Sequence, residues 1–510
     1  SMLSLTMVPP IFAAVAGVDL LWVFKVVYPM LFSLMPLALF LLYRGLLGPR
    51  VALLAVVFLM FTQPFYQLMP HMARMEMALL YLGLLLLTMR LEKRGQAAAL
   101  RLAFATALVV SHYSVAYFIM PVLLIALAIM QATQTLAPRL ATASGSNPGP
   151  VGWSGKFFGA TLTPNFLFLF LVFAFWWYVY VSAEAATFDD AVVSLSRLTG
   201  NLGSDFLSPT TSQGLDLATQ SFTPLREVAR YLHFAFQFLM VVGVVTALIG
   251  WRHGRLPPLL VVMALPARLA NGAAILVPHF ASGTVGLERL LMGTLIFLAP
   301  FAIIGGLTLF QGLANVLRLC LRALARRPLG LRGMPTVTAA LPLLAVGLGV
   351  YLLFNTGFFY EIAQERPNAI PLSRQWMLAH GDPDEKLGFL AAYPADEDFS
   401  EADWLDSHRT RGVPIYADFD AWAYILREWV PQEETFSLRP DIVLNRPVYI
   451  FLRYLNTRDG VMAPPSADWV SPRGERWWTL AELEPQLDPA NVIYTNGSSR
   501  IYMTRSSSLN

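Results

Sequence analysis

PHMARMEMALLYLGLLLLTMRLEKRGQAAALRLAFATALVVSHYSVAYF, residues 70–118, is the stretch whose reading decides the fold. Two apolar runs are joined by the basic turn RLEKR (Arg90–Arg94) and end, on the other side, in MARME and SHYS. A basic turn between hydrophobic spans marks the cytoplasmic side of a membrane, so Arg74, Glu76, His112 and Tyr113 are expected together on the opposite side. The first run, Met77–Met89, has 13 residues, about 20 Å as a helix against a hydrocarbon core of roughly 30 Å. A rod that short cannot carry Arg74 and Glu76 clear of the far surface, so both are expected in a water-filled or protein-lined recess. Ionisable groups at that depth are costly and point to function.

The rest of the chain extends this pattern. Its 510 residues are 56% hydrophobic and 14% charged, with a mean hydropathy of +0.54, too apolar for a soluble domain of that size. About ten membrane segments are expected: Val26–Leu42, Val51–Phe65, Met77–Met89, Ala97–Val110, Val115–Met130, Leu162–Val181, Ala229–Gly250, Pro257–Val277, Leu290–Phe310 and Val337–Phe354. Arg44/Arg50, Arg90/Lys93/Arg94, Arg139/Lys156, Arg252/Arg255 and the turn with Arg318, Arg322, Arg326, Arg327 and Arg332 all fall on one side. The alternate loops, and the polar C-terminal third, fall on the other. On this topology the first span runs from outside to inside, and either further residues upstream or a re-entrant segment over residues 3–24 is expected. The predicted division is a membrane domain over residues 1–355 and an extracytoplasmic α/β domain over residues 356–510.

In the C-terminal third, PIYAD (414–418), VYIFLRYL (448–455), NVIYTN (491–496) and RIYMT (500–504) have strand composition. Ser400–Asp403 and Thr479–Glu482 have the spacing of helix starts. The single cysteine, Cys320, allows no intrachain disulfide. No basic tail or aromatic–basic interleaving suggests nucleic acid.

Four polar constellations are candidates for chemistry. Arg74 and Glu76, with His71 nearby, read either as an interfacial ion pair or as an anion clamp with a carboxylate to orient it or serve as base. Ser111-His112-Tyr113-Ser114 either satisfies the backbone at a helix break or places His112 to donate to a phosphate or shuttle a proton. Arg226, Arg230, His233 and Gln237 recur at helical spacing and predict one polar cavity wall. LPARLANG (265–272) places Arg268 near the bilayer midplane, where it needs a structural carboxylate or a bound phosphate, and Arg289 opens the next span. Asp189 and Asp190 read as a helix N-cap or as weak metal ligands.

LSLTMVPPIFAAVAGVDLLWVFKVVYPMLFSLMPLALFLLYR, ARMEMALLYLGLLLL, VVSHYSVAYF and LERLLMGTLIFLAPFAIIGG resemble the membrane portion of domain-of-unknown-function family 2206. IYADFDAW, YIFLRYLNTRDG and NVIYTNGSSRIY resemble its C-terminal portion. That family is similar in architecture to the GT-C glycosyltransferases, multi-pass enzymes that transfer a sugar from a polyprenyl-phosphate donor.

The resemblance implies a multi-pass GT-C-like membrane protein of the prokaryotic plasma membrane, its C-terminal domain outside. It also implies a polyprenyl-phosphate sugar and an extracytoplasmic glycan, lipid or protein acceptor as partners. A divalent cation (Mg or Mn) is the one cofactor it suggests. On this reading Arg74, Arg268 and Arg289 clamp the donor or leaving phosphate, with His112 donating alongside and Tyr113 in the same site. Arg230 and His233 line the way in, and Glu76, or an aspartate outside this chain, is the base. A lipid-linked oligosaccharide flippase or exporter and a non-catalytic glycan-assembly subunit are the competing readings.

Overall fold

The computed structural model describes residues 3–66, 72–91, 94–143, 163–181, 223–252, 258–276, 287–324, 337–363, 365, 379–380, 389–390, 393–444, 446–462 and 478–504. The chain divides into two compact units, Ser1–Glu365 and Arg366–Asn510.

The first unit is helical. Short pieces over residues 3–32 lead into α1 (Leu34–Leu47), α2 (Pro49–Met60), α3 (Ala73–Thr88), α4 (Arg94–Ser111) and α5 (Tyr113–Ala143). Then follow α6 (Pro164–Trp176), α7 (Pro224–Arg252), α8 (Pro258–Leu276), α9 (Leu287–Leu324) and α10 (Val337–Asn355). Among the described residues, five stretches are long and apolar enough to cross a membrane: Leu20–Leu47, Tyr113–Ala132, Pro164–Val181, Pro224–Gly250 and Arg289–Leu317. The other apolar helices range from the 12-residue α2, about 18 Å long, to the 19-residue α8 and α10, about 28 Å, but their continuous apolar stretches are shorter; five of the ten expected segments therefore coincide with helices long and apolar enough to span. The expected run Met77–Met89 is also longer than its apolar stretch suggests, since α3 starts at Ala73 and takes Arg74 and Glu76 into its first turn.

α9 is the hub of the unit, with 83% of its apolar window buried. Its contact with α7 is close because neither helix has a side chain at the crossing. A Cβ on Gly243 would run into the Phe301 carbonyl, and one on Gly305 into the Leu239 carbonyl. With no hydrophobic drive between helices in lipid, such backbone-to-backbone contact is what holds them. Residues 356–363 and 365 pack with this unit: the Leu225 amide donates to Glu365 Oε2 (3.1 Å) and Tyr360 to the Leu225 carbonyl (3.4 Å).

The second unit is α/β. Its main sheet has the order β2-β1-β3-β7-β6, from β1 (Ile415–Ala417), β2 (Thr435–Ser437), β3 (Tyr449–Leu452), β6 (Ala490–Thr495) and β7 (Arg500–Thr504). β1 runs parallel to β2 and β3, while β7 is antiparallel to β3 and β6. A small antiparallel pair joins β4 (Val461–Met462) to β5 (Trp478–Thr479). Every residue of β3 is buried, and they alternate: Tyr449 and Phe451 pack with Ala402 and Leu405 of α11 (Asp396–His408), Ile450 and Leu452 with Met462 and Leu483. Both faces of the sheet are therefore covered.

The expected start of α11 at Ser400 moves to Asp396. Asp398 Oδ2 accepts from the Ala395 amide (2.9 Å) and closes the first turn there, leaving Ser400 inside the helix. At the second expected start Thr479 precedes a four-residue 3-10 turn, Leu480–Leu483, and its hydroxyl donates to Glu482 Oε1 at 3.1 Å without capping the backbone.

Asp398, Glu401 and Asp420 of this unit are buried carboxyl groups, and burial is the main force on each. It raises Asp398 and pushes Glu401 well above its usual value. It takes Asp420 up to about 6, opposed by Arg453 and helped by Asp418. Glu401 has no hydrogen-bond partner among the described residues, since the nearby Ser499 hydroxyl donates to Asn496 Oδ1 (2.9 Å) instead. A carboxyl whose folded value lies above its unfolded one holds its proton more tightly when folded. Its contribution is thus fully present below the unfolded value of about 4 and is lost as pH rises through the folded value. Hydrogen exchange of the intact chain is therefore expected to show β1 and β3 better protected near pH 5 than near pH 7, after correction for intrinsic rates. Glu401→Gln, which fixes the neutral state, should shrink that difference; greater protection at pH 7 would count against it.

Candidate functional site

Arg74, His112 and Arg289, 215 residues apart at their widest, line one cavity of about 400 Å3 in the first unit. Arg74 sits in the first turn of α3 and Arg289 in the first turn of α9, so the two cations come from two helix starts that are far apart in sequence. Both guanidinium groups lie close enough to His112 to act on its charge. The rest of the lining is apolar, made by Leu5, Phe24, Met72 and Ala73. Cations beside apolar side chains suit an anion attached to a hydrocarbon.

His112 is held by the helix break that SHYS predicts. α4 ends at Ser111 and α5 starts at Tyr113, yet the backbone ladder bridges the junction through His112 N to Leu108 O (3.2 Å) and Ala116 N to His112 O (3.3 Å). The Ser114 amide donates to His112 Nδ1 at 3.2 Å. An accepting Nδ1 carries no proton, so the ring proton sits on Nε2 and the imidazole is a donor there. Tyr113 stands edge-on to His112 at 5.0 Å, and the aromatic series continues through Tyr117 to Tyr178, whose hydroxyl donates to the Val109 carbonyl at 2.7 Å.

The other expected site residues are placed elsewhere. Glu76 is 2% exposed, and both its carboxylate oxygens are without a hydrogen-bond partner among the described residues. It is neither paired with Arg74 nor among the residues lining the cavity. Residues two apart on a helix are separated by about 200°, so α3 cannot turn both Arg74 and Glu76 toward one space. The residues of the predicted stripe on α7 do not line this cavity either. Arg230 forms an ion pair with Glu227 and lies over the Tyr231 ring. His233 shares a hydrogen bond with the Ala229 carbonyl (2.7 Å) and meets Tyr351 edge-on. Gln237 instead reaches Arg268, which also bonds Asn271 and does not line the cavity. His71, Asp189 and Asp190 lie outside the described residues.

A divalent cation needs several oxygen donors. The described lining offers two guanidinium groups, an imidazole and apolar side chains, which do not fit one. Among the described residues no group of three or more His, Cys, Asp or Glu is placed to hold a metal ion. Sequence reading missed the apolar lining, because Leu5, Phe24 and Met72 look like ordinary membrane residues until the chain folds over them.

A family model described as "Predicted membrane protein (DUF2206)" matches residues 99–502. Among solved structures, the crystal structure of ArnT from Cupriavidus metallidurans bound to undecaprenyl phosphate is similar at 14% identity and a TM-score of 0.45. The match covers 98% of this chain and 87% of that one. No curated protein sequence matches the chain.

Proposed function

The chain belongs to the DUF2206 family of predicted membrane proteins, and from that premise we propose that it is a membrane glycosyltransferase. It would move a sugar from a polyprenyl-phosphate donor to an extracytoplasmic acceptor. The observation that supports this reading is the cavity that Arg74, Arg289 and His112, with its Nε2 donor, line together with apolar side chains.

In such a reaction an acceptor hydroxyl attacks the anomeric carbon and the bond from that carbon to the phosphate oxygen breaks. The electron pair stays on the phosphate, whose charge grows. Fixed cations and donors already in place stabilise that charge without reorganising. The two guanidinium groups serve this role, His112 adds a neutral hydrogen bond, and Leu5, Phe24 and Met72 accept the first part of the lipid chain. The acceptor proton goes to a base that no described lining residue supplies.

That last point favours a second reading, a carrier of lipid-linked saccharide with no bond chemistry. Proteoliposomes containing the intact chain and a radiolabelled polyprenyl-phosphate sugar separate the two. Transfer of label to a water-soluble acceptor is expected, with Arg74→Gln and Arg289→Gln each lowering turnover about a hundredfold, as for loss of one oxyanion-hole donor. Label that crosses the bilayer still attached to its lipid would support the carrier instead. Turnover indifferent to both arginines would remove the cavity from the mechanism.

A further inference from the structure

Arg268 lies about 15 Å along α8 from Pro258, counting ten residues at helical rise. A cation part-way along an apolar helix calls for an anionic partner, and among the described residues it has none. Its Nη1 donates to Gln237 Oε1 (2.6 Å) and to Asn271 Oδ1 (2.7 Å). These two bonds account for both Nη1 hydrogens. The orientation of Asn271 is fixed one step further out. The Thr294 hydroxyl donates to the Leu291 carbonyl (2.9 Å), so its oxygen can only accept, and it accepts from Asn271 Nδ2 at 3.3 Å. The amide oxygen of Asn271 must therefore face the guanidinium. Asn271 and Thr294 are fully buried, so this cradle is packed in place.

The cradle holds one edge of the guanidinium and contributes no charge. The other edge, Nε with Nη2, is a planar fork with no protein partner among the described residues, and the side chain is only part-buried. Such a fork matches two oxygens of an anion side-on. One positive charge in a neutral cradle is balanced by one negative charge, which selects a monoanion over a phosphate dianion.

The geometry points to a second anion site at Arg268, for a phosphodiester monoanion bound through two non-bridging oxygens on Nε and Nη2. The phosphodiester comes either from a lipid headgroup or from a soluble ester. This goes beyond the glycosyl-transfer reading and does not depend on it.

The test uses the intact chain in detergent and native mass spectrometry, with phosphatidylglycerol as the lipid phosphodiester and dimethyl phosphate as the soluble one. Arg268→Gln is expected to weaken phosphatidylglycerol binding at least tenfold, while Arg74→Gln/Arg289→Gln leaves that component in place. Gln237→Glu is the second variant: it supplies a carboxylate to the same guanidinium and should abolish binding while the thermal unfolding midpoint stays level or rises. Displacement of the lipid by dimethyl phosphate identifies a site open to the soluble ester; no displacement identifies the headgroup. Binding unchanged in Gln237→Glu overturns the proposal, and so does displacement by acetate as effective as that by dimethyl phosphate.

Discussion

Replacing Gly243 with valine is expected to prevent α7 from seating on α9 and to leave little monodisperse protein in detergent. The added side chain would meet the Phe301 carbonyl, a backbone atom of the hub helix. A flexible side chain can swing away from such a clash, but a backbone in a helix cannot. The two helices must then separate, and every contact along their crossing is lost with them. Gly305→Val should do the same from the other helix, against the Leu239 carbonyl. The expected cost is about 4 kcal/mol or more, at the far end of what single substitutions do. Gly312→Ala is the control: it lies in the same helix, and nothing stands within 4 Å of an added Cβ. It should be neutral or stabilising by up to about 1 kcal/mol. Thermal unfolding of the three variants decides the matter, and a Gly243→Val protein as stable as Gly312→Ala would remove the crossing as the organising contact.

The second large effect is expected at Arg453, whose side chain is buried in the second unit. Its Nε donates to both oxygens of Asp418, at 3.1 and 2.9 Å, and its Nη2 reaches Asp420 at 3.4 Å. Asp418 also accepts from the Ala421 amide (2.7 Å) and Asn456 Nδ2 (2.8 Å), which tie β1, β3 and the turn after each into one network. Removing one partner of a buried ion pair leaves the other charged and unpaired, at about 3–5 kcal/mol. Arg453→Met should therefore open the second unit to proteolysis and exchange, since that is a large part of the roughly 5–15 kcal/mol that holds a domain together. Adding Asp418→Asn should recover part of the loss, because the stranded charge is then gone. A double variant as unstable as the sum of its singles would show that the two side chains do not act as a pair.

The sequence announces some features and hides others for physical reasons. Charged residues inside apolar runs are rare enough to be seen, and Arg74, His112 and Arg289 do line one cavity. The angle at which a side chain leaves its helix is set by packing, and hydrophobicity alone does not reveal it. Hence Glu76 turns away from Arg74, and Arg268 is taken by Gln237 and Asn271. Strand composition locates β1, β3, β6 and β7. It misses β2, three residues placed only by pairing with β1. In the β6–β7 hairpin Asn496 Oδ1 accepts from the Ser498 and Ser499 amides, and Gly497 takes a φ of +91°. The Asn-Gly pair in YTNGSSRIY is therefore a turn signal.

The seating of His112 has one more implication. Its Nδ1 is already spoken for by the Ser114 amide. A second proton on the ring would set two donors face to face, so charging the imidazole means giving up its bond to the first turn of α5. The electrical state of the chamber is thus tied to how the ring docks on that turn. Whatever shifts the start of α5 would alter the ring's welcome for an anion, even from a distance.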